Sequence, residues 1–262
     1  MIDTHCHLYD EAFAQDFEEV IGRARSVGIQ QLLLPNIDWT SWPILQETIA
    51  KCSMPCYPML GMHPCYVKED FEQVLDQMHR VLEEGVNNLV AIGEIGMDLY
   101  WDQTYQKAQE TAFRRQLEWA LAYQLPVALH VREAFVPVFQ VLNEYKNTSF
   151  SGVFHCFTGT QKEASYIMEH HPSFYFGIGG VLTYKKSGLY ELVPQLPKNR
   201  LLLETDAPYL PPTPYRGKRN EPSYLAHIAD ILSNTLEIPE REAIRMTTEN
   251  AQRLFNLNLS VQ

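Results

Sequence analysis

Short apolar runs recur along the chain, separated by longer stretches whose apolar residues fall three and four positions apart. The runs are MIDTHCHL, QQLLLPNI, CYPMLGMHP, NLVAIGEIG, LPVALHVR, SGVFHCF, SFYFGIGG and RLLLETDAP, which make eight strand candidates. Strands apolar at nearly every position suit a parallel sheet covered on its faces by helices. The stretches between them read as amphipathic helices, for example Asp16–Val27, which stops at Gly28, and Tyr105–Tyr123. Eight alternating units in 262 residues predict an α/β fold of the (β/α)8 TIM-barrel type, one unit spanning 1–262. A doubly wound open sheet is the second reading, but no Gly-x-Gly-x-x-Gly follows the first strand. Beyond the eighth run, Tyr209–Tyr224 is Pro-rich and basic and reads as a long ordered loop. Two more helices are expected, Tyr224–Leu236 closing the barrel and Pro239–Phe255 packed outside it.

Composition adds mainly exclusions. With 45% hydrophobic and 20% charged residues the chain is an ordinary globular one. No apolar run is long enough to span a bilayer, and no basic region precedes an apolar stretch at the start. A cytoplasmic protein with no membrane partner, and a monomer, is the expectation. Five cysteines, an odd number, do not make a disulfide framework. Cys52 and Cys56 lack the downstream pair that a zinc knuckle needs. The net charge of −11 argues against a broad footprint on duplex nucleic acid. It leaves room for a nucleic-acid end entering a small pocket lined by a few local cations.

Polar residues collect where such a barrel carries its chemistry, at the C-terminal strand ends. The first run supplies His5 and His7, two apart and so on one face of an extended segment, the third His63, and the fourth Glu94 between glycines. The fifth supplies His130 and Arg132, the sixth His155, and the eighth Glu204 and Asp206. A lone buried histidine is usually a hydrogen-bonded core residue. This many buried polar groups on one barrel end make sense only around a shared ligand, because each buried alone costs a few kcal/mol. Four histidines and two carboxylates suit two divalent metal ions about 3.5–4 Å apart. His5, His7 and Asp206 would hold one ion, His130 and His155 the other, with Glu94 bridging. Asp206 is the candidate general base for the attacking water. Imidazole-rich ligation favours zinc or manganese over magnesium.

The combination MIDTHCHL, GMHP, IGEIGMD, LHVRE, VFHCFTG, LLLETDAPYL, RGKRNEP and ENAQRLF resembles the TatD family of metal-dependent deoxyribonucleases, from residue 1 to about residue 256. The resemblance implies a divalent-metal hydrolase of DNA phosphodiester bonds, often a 3′-to-5′ exonuclease on a single-stranded end. Some relatives have been linked to other nucleic-acid substrates or to D-aminoacyl-tRNA esters. It carries the metal ligands onto His5, His7, Glu94, His130, His155 and Asp206, and puts His63 beside the substrate phosphate. Arg132 matches the family's H-x-R, and its guanidinium is suited to grip a phosphate through two parallel bonds. Arg216, in RG…N.P, would guide the phosphate backbone, while Lys218 and Arg219 read equally well as solvated loop residues. Glu133 stands where the commoner wording has Asp. Glu204 and Asp3 are expected behind the ligands, orienting them.

Other polar residues read more blandly. His170 and His171, ending a helix before a proline, are expected at the surface, and His79 and His227 on helix faces. Tyr184, Lys185 and Lys186 read as a solvated loop, and Cys6 as packing against the helical layer. A phosphomonoesterase of the PHP type would be expected to show Asp-x-His near the last strand, where this chain has Asp206-Ala207-Pro208. A carboxylated-lysine amidohydrolase would want a lysine where Glu94 stands. A barrel that merely binds nucleic acid sits poorly with an intact ligand set.

Overall fold

All eight apolar runs form strands: β1 (Ile2–Asp3), β2 (Gln31–Pro35), β3 (Cys56–Leu60), β4 (Ala91–Asp98), β5 (Val127–Arg132), β6 (Gly152–Phe154), β7 (Phe174–Ile178) and β8 (Leu201–Leu203). The helices between them are α1 (Phe17–Ser26), α2 (Ser41–Lys51), α3 (Phe71–Glu84), α4 (Gln106–Tyr123), α5 (Phe135–Glu144), α6 (Gln161–His170) and the short α7 (Leu189–Leu192). After β8 come α8 (Leu225–Thr235) and α9 (Glu240–Phe255). The computed structural model describes residues 1–148 and 150–257, so the end of the expected 1–262 unit lies outside the described residues.

The strands pair in parallel in the order β1 to β8. Backbone bonds from Thr4 N–H to Leu203 O (3.1 Å), Asp206 N–H to His5 O (2.9 Å) and His7 N–H to Ala207 O (2.7 Å) bring the last strand back to the first. The result is the predicted (β/α)8 barrel. Side chains alternate between two apolar layers because successive residues of a strand face opposite sides. Leu33, Ala128 and Leu202 point inward. Leu32, Leu34, Val127, Leu129, Leu201 and Leu203 point out against the helices, and so does Cys6.

The inner layer at the N-terminal end takes one residue from each strand: Ile2, Leu33, Met59, Ala91, Ala128, Val153, Tyr175 and Leu202. Ala251, Leu254, Phe255 and Leu257 pack against it from α9 and the residues just after it. The last helix therefore seals the barrel floor, where the sequence suggested an outer position. Asn250 fixes it there, its amide donating to the carbonyls of Lys198 and Leu201, both at 2.9 Å. The Pro-rich segment forms a loop, and one of its basic residues is already committed. The Arg219 guanidinium bonds both oxygens of Asp16 (2.6 and 2.7 Å), while Arg23 bonds Glu221 (2.7 Å). This ties the loop to α1, so Arg219 is neither the free cation nor the solvated loop residue that the sequence offered. No described helix is long and apolar enough to cross a membrane.

Candidate metal centre

Glu94 is the hub of the opposite end of the barrel. Its side chain is 3% exposed, and its two oxygens face different partners. Oε2 lies 3.2 Å from His5 Nε2 and 3.6 Å from His7 Nε2. Oε1 lies 3.0 Å from His130 Nδ1, 3.4 Å from His155 Nε2 and 3.5 Å from His63 Nε2. Asp206 Oδ1 joins the first group, 3.3 Å from His7 Nε2 and 3.8 Å from His5 Nε2, and reaches His155 Nε2 at 3.9 Å. Asp206 has φ +59°, a left-handed conformation that Asp adopts more readily than most residues. The strand ends thus bring together all six expected ligands and His63.

Two glycines make the packing possible. A Cβ on Gly96, whose φ is +134°, would sit 2.1 Å from His130 O, so β4 could not approach β5 with any other residue there. A Cβ on Gly177 would sit 2.3 Å from Glu204 Oε2, in the space that buried carboxylate occupies.

The outer ring nitrogens sort the histidines by role. The Tyr9 hydroxyl donates to Pro35 O (2.8 Å), so its oxygen is left to accept from His7 Nδ1 (3.0 Å). Glu204 Oε1 lies 3.0 Å from His155 Nδ1, and Asp98 Oδ2 lies 2.8 Å from His130 Nε2. Tyr9 accepts the outer proton of His7 and Asp98 accepts from the outer nitrogen of His130, the kind of support a metal-ligating imidazole receives, while the Glu204 carboxylate stands beside His155 Nδ1 as a charge partner outside hydrogen-bond geometry. His63 is built the other way. Its Nδ1 accepts from the Cys65 N–H (3.1 Å), so the neutral ring carries its proton on Nε2, aimed at Glu94. Although its nitrogen lies close enough to Glu94 and His130 to share an ion, His63 presents a donor to the cleft.

Electrostatics set His63 apart from His155. Burial, reinforced by His130, lowers the His63 pKa to about 3 and keeps the ring neutral. Burial also depresses His155, but Glu204, Glu94 and Asp206 outweigh it and raise its pKa to about 10. Burial would raise Glu94 and Asp206, yet the surrounding imidazoles pull both below the ordinary carboxylate range. Among the described residues, three groups of donor atoms lie within 4.8 Å of one another: His5, His7 and Asp206; His5, His155 and Glu204; and His63, Glu94 and His130. His5 Nδ1 and Glu204 Oε2 are buried without hydrogen-bond partners. A cluster of imidazoles and carboxylates packed this closely fits divalent transition ions.

Asp3 and Glu204 stand behind these groups. Asp3 accepts from the Thr205 hydroxyl (2.6 Å) and from the Thr205 and His5 amides (3.0 and 3.3 Å), which joins β1 to the end of β8. Burial raises its pKa to about 7 against the pull of the Thr205 bonds. Glu204 also accepts from the Cys156 amide. Arg132 lines the same cleft of about 600 Å³ as Glu94 and His63. The structure does not bring Arg216 to the cleft wall; its guanidinium lies over the Tyr184 ring at 4.4 Å. Sequence reasoning passed over Tyr9 and Asp98. The available signal was phase: Tyr9 follows His5 and His7 at the same two-residue step, and Asp98 follows Glu94 by two such steps.

A family model described as TatD related DNase matches residues 2–256. The chain is 36% identical over 259 residues to an uncharacterized metal-dependent hydrolase, YabD, of Bacillus subtilis, covering 98% of this chain and 100% of that one. It is 34% identical over 263 residues to the 3′-5′ ssDNA/RNA exonuclease TatD of Pantoea ananatis, covering 98% and 100%. Among solved structures it is similar to the TatD homologue YjjV of Escherichia coli, with a TM-score of 0.91, 30% identity and 98% of each chain covered.

Proposed function

The chain belongs to the TatD-related DNase family of metal-dependent hydrolases, and from that premise we propose that it hydrolyses phosphodiester bonds of DNA, working in from a single-stranded end in the 3′-to-5′ direction. Support for the nucleic-acid substrate comes from relatives that carry the exonuclease name. Support from the site rests on one observation above the rest: the two oxygens of Glu94 divide five imidazoles between them.

In this reading His5, His7 and Asp206 would hold one divalent ion and His130 and His155 a second, with the Glu94 carboxylate between the two groups. Zinc, manganese or magnesium, when bound, would acidify a water and offset the charge developing on the phosphoryl oxygens. Asp206 accepts the proton of the attacking water at its carboxylate, which the adjacent imidazoles keep ionised. His63, neutral and protonated at Nε2, donates to a phosphoryl oxygen. Arg132 grips the same phosphate group, and Arg216 attracts the strand before it reaches the cleft. Asp3 and Glu204 hold the first and last strand ends and the His155 ring in place.

The test is to reconstitute the protein with zinc, manganese or magnesium in turn. It is then offered single-stranded DNA, duplex DNA, RNA and an aminoacyl-tRNA. Stepwise release of mononucleotides from the 3′ end of single-stranded DNA is expected. Release of the amino acid with the phosphodiester chain intact would overturn the reading in favour of an esterase.

A further inference from the structure

Tyr66, Tyr209 and Trp101 are exposed rings that line the cleft, and Trp101, the most exposed of them, stands beside the also exposed Tyr100, against the Arg132 guanidinium. Trp101 is 69% exposed and Tyr100 is 54% exposed, directly after the end of β4. Trp101 lines the same cleft as Glu94, His130 and Asp206. The rings meet edge to face at 4.9 Å, and the Arg132 guanidinium lies 3.9 Å from the Tyr100 ring centre and 5.0 Å from that of Trp101. Their backbone is held as well. Asp98 Oδ1 accepts from the amides of Tyr100 (3.0 Å) and Trp101 (3.3 Å), while Oδ2 of the same carboxylate faces His130.

We propose that Trp101, backed by Tyr100, is the platform on which the terminal nucleobase of a single-stranded nucleic acid stacks, with Arg132 set to receive the adjoining phosphate. This rests on the nucleic-acid reading above and adds what selects the strand. Every base has a π-face, so a stacking platform accepts each new terminal base in turn without reading its identity. In a duplex those faces are already covered by neighbouring bases, so the platform favours unpaired ends. The charge of −11 repels a phosphate backbone over most of the surface. The rings and Arg132 at the mouth add local affinity where most of the surface repels the strand. Asp98 is a positioning residue that sets the platform in register with His130.

The experiment uses the purified protein and a four-residue thymidine strand with phosphorothioate links, which resist hydrolysis. Its binding is compared with that of the same strand ending in an abasic sugar. The base should tighten binding about tenfold in the wild type, the low end of what one stacked base is worth. Trp101→Ala should erase that difference, and Trp101→Phe should keep most of it. Equal binding of the two strands by the wild type, or a difference that survives both Trp101→Ala and Tyr100→Ala, would overturn the proposal. Base-dependent binding without hydrolysis of any nucleic acid would sink the nuclease reading and leave the platform. Hydrolysis without base-dependent binding would do the reverse.

Discussion

The two ends of the barrel are built from the same eight strands and have opposite interiors. At the floor each strand gives one apolar residue, and Leu254 and Phe255 of α9 close the layer. At the mouth the inward positions carry imidazoles and carboxylates. On β5, β6 and β8 the change is a simple step along one face: Ala128 then His130, Val153 then His155, Leu202 then Glu204 and Asp206. On β1 and β4 the faces fall out of step, Ile2 to His5 and Ala91 to Glu94, and β4 has a register irregularity between Ile92 and Ile95. An extra residue in a strand exchanges its faces. Glu94 reaches the axis through such a shift.

Histidine shows the contrast most sharply. His155 is buried at the mouth beside three carboxylates, which raise its pKa to about 10. His171 is buried at the floor end, between α6 and β7, among the rings of Phe139, Tyr166 and Phe174. There burial, followed by the charge of His170, lowers its pKa to about 4. Burial acts on both rings, and the company decides the outcome.

If the mouth spends its buried groups on chemistry and the floor on stability, substitutions should separate the two. Glu94→Ala should lower turnover by about a thousandfold or more, since metal-assisted charge stabilisation is worth several kcal/mol. Bound metal should fall with it while the thermal midpoint of the metal-free protein does not; a metal-replete, active variant would break the comparison. Phe255→Ala should do the opposite. It should cost about 3–5 kcal/mol in denaturant unfolding and leave the metal bound per folded molecule unchanged.

A finer cut is Asp98→Ala, which removes the acceptor behind His130. Metal affinity should drop about 10–100-fold with little change in unfolding. The gentlest probe is His171→Phe. Below pH about 6.5 the unfolded chain protonates this histidine, whereas the native ring stays neutral until about pH 4. Native stability therefore falls as pH drops through that window, and the variant should lose about 1–3 kcal/mol of this acid sensitivity. A wild-type pH–stability curve unchanged by the substitution would remove the floor histidine from the comparison.

The strands and helices were legible because their signals are local: apolar runs for β2 and β8, and three-and-four spacing for α4. The six clustered mouth residues were legible because no core explains so many polar strand ends. What escaped depends on partners distant in sequence. His171 looked like a surface residue before a proline, but its covering rings come from α5, α6 and β7. Arg219 looked as free as Lys218 until Asp16 met it across the fold. The place of α9 turned on Asn250 finding the carbonyls of Lys198 and Leu201. Tyr9 and Asp98 act through ring nitrogens, and one strand read alone does not show which nitrogen faces which way.

The meeting of β1 with the end of β8 has a consequence in time. Asp206 is made 199 residues after His7. At about 5–20 residues per second the two halves are made roughly 10–40 s apart. A growing or truncated chain therefore presents two imidazoles with no Asp206 to complete them, and the hydrolytic centre comes into being only as the barrel closes.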